Sequence, residues 1–106
     1  MPRLAYVNGR FLPHAQAAVH IEDRGYQFGD GVYEVISVLD KRPIDTGGHL
    51  DRLDRSLQEL RIAWPVTRSV LNVLMRQILR RNGIKNGIVY IQITRGVAPR
   101  DHKFPK

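Results

Sequence analysis

The amino-acid sequence predicts one α+β domain, mainly antiparallel sheet with two amphipathic helices, and three patterns carry that prediction. An Asn8-Gly9 pair sits between two short apolar runs near the start. Leucines recur at three- and four-residue spacing through two central segments, and strict apolar/polar alternation returns near the end. With 106 residues and 42% hydrophobic side chains, there is room for one modest core and no second domain.

Leu4 to Val7 and Arg10 to Leu12 read as a hairpin, because Asn-Gly tolerates the positive φ of a type I′ turn. A short extended stretch follows at 18–21. Glu22 to Gly31 places three glycines, Gly25, Gly29 and Gly31, within seven residues and predicts an irregular shaped loop. Val32 to Leu39 is rich in β-branched residues and runs into the turn Asp40-Lys41-Arg42-Pro43, with a short return strand to about Ile44. Thr46 is the expected N-cap of a helix whose stripe is Leu50, Leu53, Leu57 and Leu60, ended by Trp64-Pro65. A second helix runs from about Arg68, with Leu71, Leu74, Met75 and Ile78 on one face, to an αL cap at Asn82-Gly83. Val89, Ile91 and Ile93 alternate with Tyr90, Gln92 and Thr94 in the strand Ile88 to Arg95. The polar face of that strand either lines a cavity or meets solvent. After Gly96 a terminal loop runs to Pro105-Lys106 and caps nothing, which leads to the expectation that this is the front part of a longer protein.

Composition excludes several classes. The absence of cysteine removes disulfide frameworks and thiolate metal sites, and fits a reducing compartment. His14, His20 and His49 lack metal-ligand spacing, so no metal is expected. No apolar run reaches the eighteen residues that a spanning helix needs, and the start has no signal-peptide core; a soluble, cytoplasmic protein is expected. The net charge of +7 invites a nucleic-acid reading, but the cations are scattered among Asp51, Asp54 and Glu59. Their densest group, Arg76, Arg80 and Arg81, suits a helix C-terminus.

Two constellations point to anion binding. Thr46-Gly47-Gly48 offers backbone N–H groups at a helix start, with Arg52 one turn later, a combination that suits a phosphate monoester. Arg100 and His102, two apart on an extended segment, are able to face one carboxylate together. The glycines do not form a dinucleotide fingerprint, since they open a strand instead of following one. No lysine sits in a context that would desolvate it for covalent catalysis.

Four separated motifs resemble one family. Glu22-Asp23-Arg24-Gly25-Tyr26-Gln27-Phe28-Gly29-Asp30-Gly31-Val32-Tyr33-Glu34-Val35 looks like the signature of the D-amino-acid aminotransferases, class IV (fold-type IV) pyridoxal-phosphate enzymes. His49-Leu50-Asp51-Arg52-Leu53, Tyr90-Ile91-Gln92-Ile93-Thr94-Arg95-Gly96 and Pro99-Arg100-Asp101-His102-Lys103-Phe104-Pro105 match in order and approximate spacing.

The resemblance implies that Arg52 holds the phosphate of pyridoxal 5'-phosphate and that Glu34 and His49 belong to a hydrogen-bond network reaching Arg52 and the cofactor. It implies a trap for the substrate α-carboxylate made of Tyr33 with Arg100 and His102 of the partner subunit in a homodimer. Tyr90 is implied near the substrate, with Phe28 and Val35 near its side chain. Strand parity sets Tyr33 and Glu34 on opposite faces, which favours Tyr33 as the direct substrate contact. The implied substrates are a D-amino acid such as D-alanine and a 2-oxo acid such as 2-oxoglutarate, with no nucleic acid or membrane partner. In the family the lysine that carries the cofactor comes from a C-terminal domain, and it has no counterpart here. Residues 1–106 are therefore expected to be the N-terminal domain, inactive alone. Branched-chain aminotransferases and aminodeoxychorismate lyases of the same fold share the glycine loop and phosphate arginine, but Arg100 with His102 resembles the D-amino-acid type. A stand-alone basic binding module without catalysis is the alternative from another class.

Overall fold

The structure is a computed structural model that describes residues 3–99. A two-stranded hairpin pairs β1 (Leu4–Val7) with β2 (Arg10–Pro13). Asn8 and Gly9 both take positive φ, 49° and 90°, as the type I′ turn requires. A single 3-10 turn at His14–Gln16 follows. The hairpin is tied to the rest of the chain by Asn82, whose side-chain amide accepts from Leu4 N at 2.8 Å and donates to Leu4 O at 3.1 Å. One side chain thus satisfies both backbone groups of a strand residue.

The main sheet has three strands in the order β4-β3-β5: β3 (Gly31–Leu39), β4 (Arg42–Pro43) and β5 (Gly87–Thr94). All pairings are antiparallel, as expected from the sequence, and β3 pairs β5 from Gly31↔Thr94 to Val38↔Gly87. Among the described residues, the edge of β3 opposite β5 is paired to β4 at Val38 and Leu39, with one further backbone bond from Ile44 N to Ser37 O at 2.8 Å.

Alternation gives this sheet two unlike faces. Ile36, Val38, Val89 and Ile91 are buried on one face. They pack with Leu50, Leu53 and Leu57 of α2 (Thr46–Leu60) and with Met75 and Leu79 of α3 (Arg68–Asn82). Each such aliphatic side chain contributes about 1.5–3 kcal/mol by leaving water. The opposite face carries Tyr33, Val35, Ile88 and Tyr90, all exposed in this chain.

Three expectations are corrected. The segment read as an irregular loop holds a short helix, α1 (Arg24–Phe28). Asp23 caps it by accepting from Gly25 N, and Gly29 closes it in the αL conformation, so the glycines and aspartates that suggested a loop act as helix punctuation. At α2 the N-cap is Asp45, not Thr46. The helix also ends at Leu60, before Trp64-Pro65, because Arg61 takes αL geometry and Trp64 turns back to donate its indole N–H to Asp54. The second helix matches its reading, with Thr67 accepting from Val70 N and Gly83 in αL.

Candidate active site

Strand β3 delivers functional side chains to both faces of the sheet. Glu34 lies on the core-facing side, and its side chain is 4% exposed. A carboxylate is stable there only when its oxygens are paired. Helix α2 supplies the partners, because His49 and Arg52 stand one turn apart, beside the stripe of Leu50 and Leu53 that seats the helix. Arg52 donates from Nε to Oε2 and from Nη2 to Oε1, both at 2.8 Å, and His49 Nδ1 stands 2.7 Å from Oε1. A carboxylate only accepts, so Nδ1 carries the proton. The Arg52 hydrogen bond leads in holding the Glu34 pKa below its ordinary 4.5; burial opposes it, and His49 adds to it. The same contact raises the Arg52 pKa, followed by the charge of Glu34 and a smaller contribution from Tyr33. The Arg52 side chain stays 60% exposed, and its Nη1 has no hydrogen-bond partner among the described residues.

On the other face, Tyr33 and Tyr90 stack with ring centroids 5.9 Å apart and planes 17° from parallel. Register explains the pair: Tyr33 stands opposite Gln92 and Tyr90 opposite Val35, so the two rings are diagonal neighbours. Tyr90 donates its hydroxyl proton to Gln92 Oε1 at 3.1 Å. The two clusters stand on opposite faces of the sheet.

The glycine segment is held by a second buried carboxylate. Asp30 Oδ2 accepts from Arg24 Nε at 2.8 Å and from Arg95 Nε at 2.7 Å. Burial pushes the Asp30 pKa up, but the hydrogen bonds and charges of Arg95 and Arg24 outweigh it and hold the carboxyl below its ordinary 3.8. Arg95 also donates from Nη2 to Leu60 O at 2.6 Å, covering a free carbonyl at the end of α2. Arg24 covers the Phe28 ring, with its guanidinium carbon 4.8 Å from the centroid. Gly25 lies so near Thr94 that a Cβ would overlap the Thr94 methyl, and at Gly31 a Cβ would come within 2.8 Å of Ile93 O. An open cleft of about 260 Å³ remains, lined by Gly25, Gly29, Gly31, Val32, Tyr33 and Gln92.

The structure therefore brings Glu34, His49 and Arg52 together on one side, and Tyr33, Val35 and Tyr90 on the other. Phe28 lies at the end of α1, under the Arg24 guanidinium. Arg100 and His102 lie outside the described residues. The start of α2, where an anion site is expected, carries a carboxylate of its own. The Asp45 carboxylate lies against Gly48, where a Cβ would meet its oxygens at 2.7 Å, and it sets negative charge among the first backbone N–H groups. Sequence reasoning missed the Asp30 hub and Gln92. An aspartate between two glycines with an arginine six residues before it was a readable signal for half of the hub. Nothing local connects Asp30 to Arg95, 65 residues on.

A three-stranded antiparallel sheet backed by two helices, with Arg52 anchored to a buried carboxylate on one side and exposed tyrosines on the other, makes this an α+β domain. The chain belongs to the amino-transferase class IV family, which it matches over residues 31–106. It is 44% identical over 100 residues to a D-alanine aminotransferase of Staphylococcus haemolyticus, covering 94% of this chain and 36% of that protein. A D-alanine aminotransferase of Listeria innocua is 41% identical, with 93% and 35% covered. The chain thus spans about a third of the length of the curated relatives it matches, corresponding to their N-terminal part. Among solved structures, an Escherichia coli branched-chain amino acid aminotransferase superposes with a TM-score of 0.84 at 22% identity, over 99% of this chain and 36% of that one. A 4-amino-4-deoxychorismate lyase from Pseudomonas aeruginosa gives 0.69 at 27% identity, over 85% and 32%. A T.th. branched-chain amino acid aminotransferase complexed with N-(5'-phosphopyridoxyl)-L-glutamate gives 0.82 at 23% identity, over 93% and 35%.

Proposed function

We propose that this chain is the N-terminal domain of a pyridoxal-phosphate-dependent transaminase that moves the amino group of a D-amino acid such as D-alanine to a 2-oxo acid such as 2-oxoglutarate. The observation that carries this reading is Arg52: a largely exposed guanidinium, fixed on one edge by a buried carboxylate, with Nη1 left without a partner among the described residues. That donor set fits a phosphate monoester, because the fork is already oriented and little freedom is lost on binding.

Pyridoxal 5'-phosphate, when bound, supplies an electron sink for the amino acid's Cα. Arg52 binds the phosphate, and Glu34 orients Arg52 while compensating part of its charge. His49 keeps its Nδ1 proton on Glu34 and completes the carboxylate's pairing. On the opposite face of the sheet, Tyr33 offers a hydroxyl to the substrate α-carboxylate, with Arg100 and His102 of the partner subunit completing the trap in a homodimer. Val35 and Phe28 border the substrate side chain, and Tyr90 closes the aromatic wall.

The basic-module alternative finds less support, since Arg24, Arg52, Arg68 and Arg95 are paired within the chain to Asp30, Glu34, Asp51 and Asp30. No helix among the described residues is long and apolar enough to cross a membrane. The test is pyruvate formation by the full-length protein supplied with pyridoxal 5'-phosphate and 2-oxoglutarate. D-alanine is expected to react and L-alanine far more slowly. Turnover confined to L-leucine, or to 4-amino-4-deoxychorismate, would overturn the D-amino-acid reading.

A further inference from the structure

We infer that Gln92 is a specificity-determining residue, whose side-chain amide donates a hydrogen bond from Nε2 to the carboxylate end of the amino-acid substrate. The inference rests on the transaminase reading above. In the antiparallel register Gln92 stands directly opposite Tyr33, and side chains so paired share a face within contact range. Both line the same open cleft of about 260 Å³, next to Gly29 and Gly31.

The amide is not free to present either end. Tyr90 donates its hydroxyl to Gln92 Oε1 at 3.1 Å, and the Tyr90 ring is itself held against Tyr33. With its acceptor engaged, the amide has two N–H bonds on Nε2 that meet no partner among the described residues. A fixed donor in the cleft that Tyr33 also lines selects an oxygen acceptor, and an anionic oxygen most strongly. Because the amide is neutral, it adds directional recognition and leaves the charge balance to other groups. Gln92 is exposed, so the fold does not need the side chain for its core.

The experiment compares Gln92→Glu and Gln92→Leu with the wild type in the full-length holoenzyme. Steady-state KM and kcat are measured for whichever amino acid a panel of D- and L-isomers shows the wild type to prefer. The inhibition constant of propionate, a carboxylate without an amine, is measured alongside. Glu replaces the donor by a negative charge, and it is expected to raise KM and the propionate constant by about tenfold or more; Leu is expected to raise both about three- to tenfold. In both variants kcat is expected to stay within about twofold and the cofactor absorbance to stay unchanged. Values of KM and propionate inhibition within about twofold of wild type in both variants would overturn the inference. So would a fall in kcat and melting temperature with KM unmoved, the pattern of a purely structural residue. A wild type that transaminates no amino acid overturns the underlying reading, whereas an active wild type with unchanged variants overturns this inference alone.

Discussion

Arg52 meets Glu34 along one edge of its guanidinium, with Nε and Nη2 each 2.8 Å from a different carboxylate oxygen. The bond joins a helix to a strand 18 residues earlier and fixes the rotation of the guanidinium about its long stem. Glu34→Gln keeps the shape but offers one acceptor where Arg52 and His49 use two oxygens. Titration of the full-length apoprotein with pyridoxal 5'-phosphate is expected to show affinity lowered about 10- to 100-fold, the equivalent of about 1.5–3 kcal/mol for hydrogen bonds to charged groups. An unchanged affinity would mean that Arg52 needs no anchor.

Both buried carboxylates make folding pH-dependent in the same direction. Glu34 and Asp30 are held below their ordinary values of 4.5 and 3.8, so the unfolded chain takes up their protons first as pH falls. The stability they contribute is fully present above those ordinary values and is lost as pH drops through the lower folded-state ones. Urea unfolding from pH 6 down to pH 3, a range set by the carboxylate pKa values at about 4, is expected to show stability falling toward the acid end. Glu34→Gln should flatten the slope. A wild-type profile that stays level below pH 4.5 would contradict these assignments.

Asp30 carries more structural weight than its place between two glycines suggests. Asp30→Asn removes the carboxylate that Arg24, 4% exposed in its side chain, and Arg95, 14% exposed, both meet. The expected loss is about 3–5 kcal/mol in denaturant unfolding, the usual cost of removing one partner of a buried ion pair. A loss under about 1 kcal/mol, the value of a surface pair, would show that water reaches the cluster.

The contact between Gly25 and Thr94 gives a paired test. Gly25→Ala forces a methyl onto the Thr94 Cγ2 and is expected to destabilise by about 1–3 kcal/mol. Thr94→Ser removes that Cγ2 and keeps the hydroxyl that donates to Asp23 Oδ2 at 3.1 Å. The double variant should recover part of the loss, measured as a non-additive coupling in thermal unfolding.

The elements that follow from local pattern were the legible ones. Asn8-Gly9, the Leu50, Leu53 and Leu57 stripe, Gly83 and the alternation around Ile91 each state their geometry within a few residues. Helix α1 was hidden because one turn of helix offers no periodicity, and Gly25 inside it weighs against it by propensity. The N-cap of α2 shifted to Asp45, which takes a left-handed φ of 54° that sequence alone does not announce for a non-glycine residue. In the site, strand parity separated Tyr33 from Glu34 correctly, since Tyr33 is 64% exposed and Glu34 4%. The Asp30 to Arg95 bond and the Tyr90 to Gln92 bond depend on where β5 returns, and only the tertiary register supplies that.

The most direct measurement is the discrimination between pyridoxal 5'-phosphate and pyridoxal by the full-length protein, wild type against Arg52→Ala. The two compounds differ only by the phosphate, so the ratio of their dissociation constants isolates its contacts. If Arg52 holds the phosphate, the ratio falls at least about tenfold in the variant while the affinity for pyridoxal itself stays near wild type. A ratio that survives the substitution would place the phosphate elsewhere and contradict the role assigned to Arg52 and to the Glu34 that anchors it.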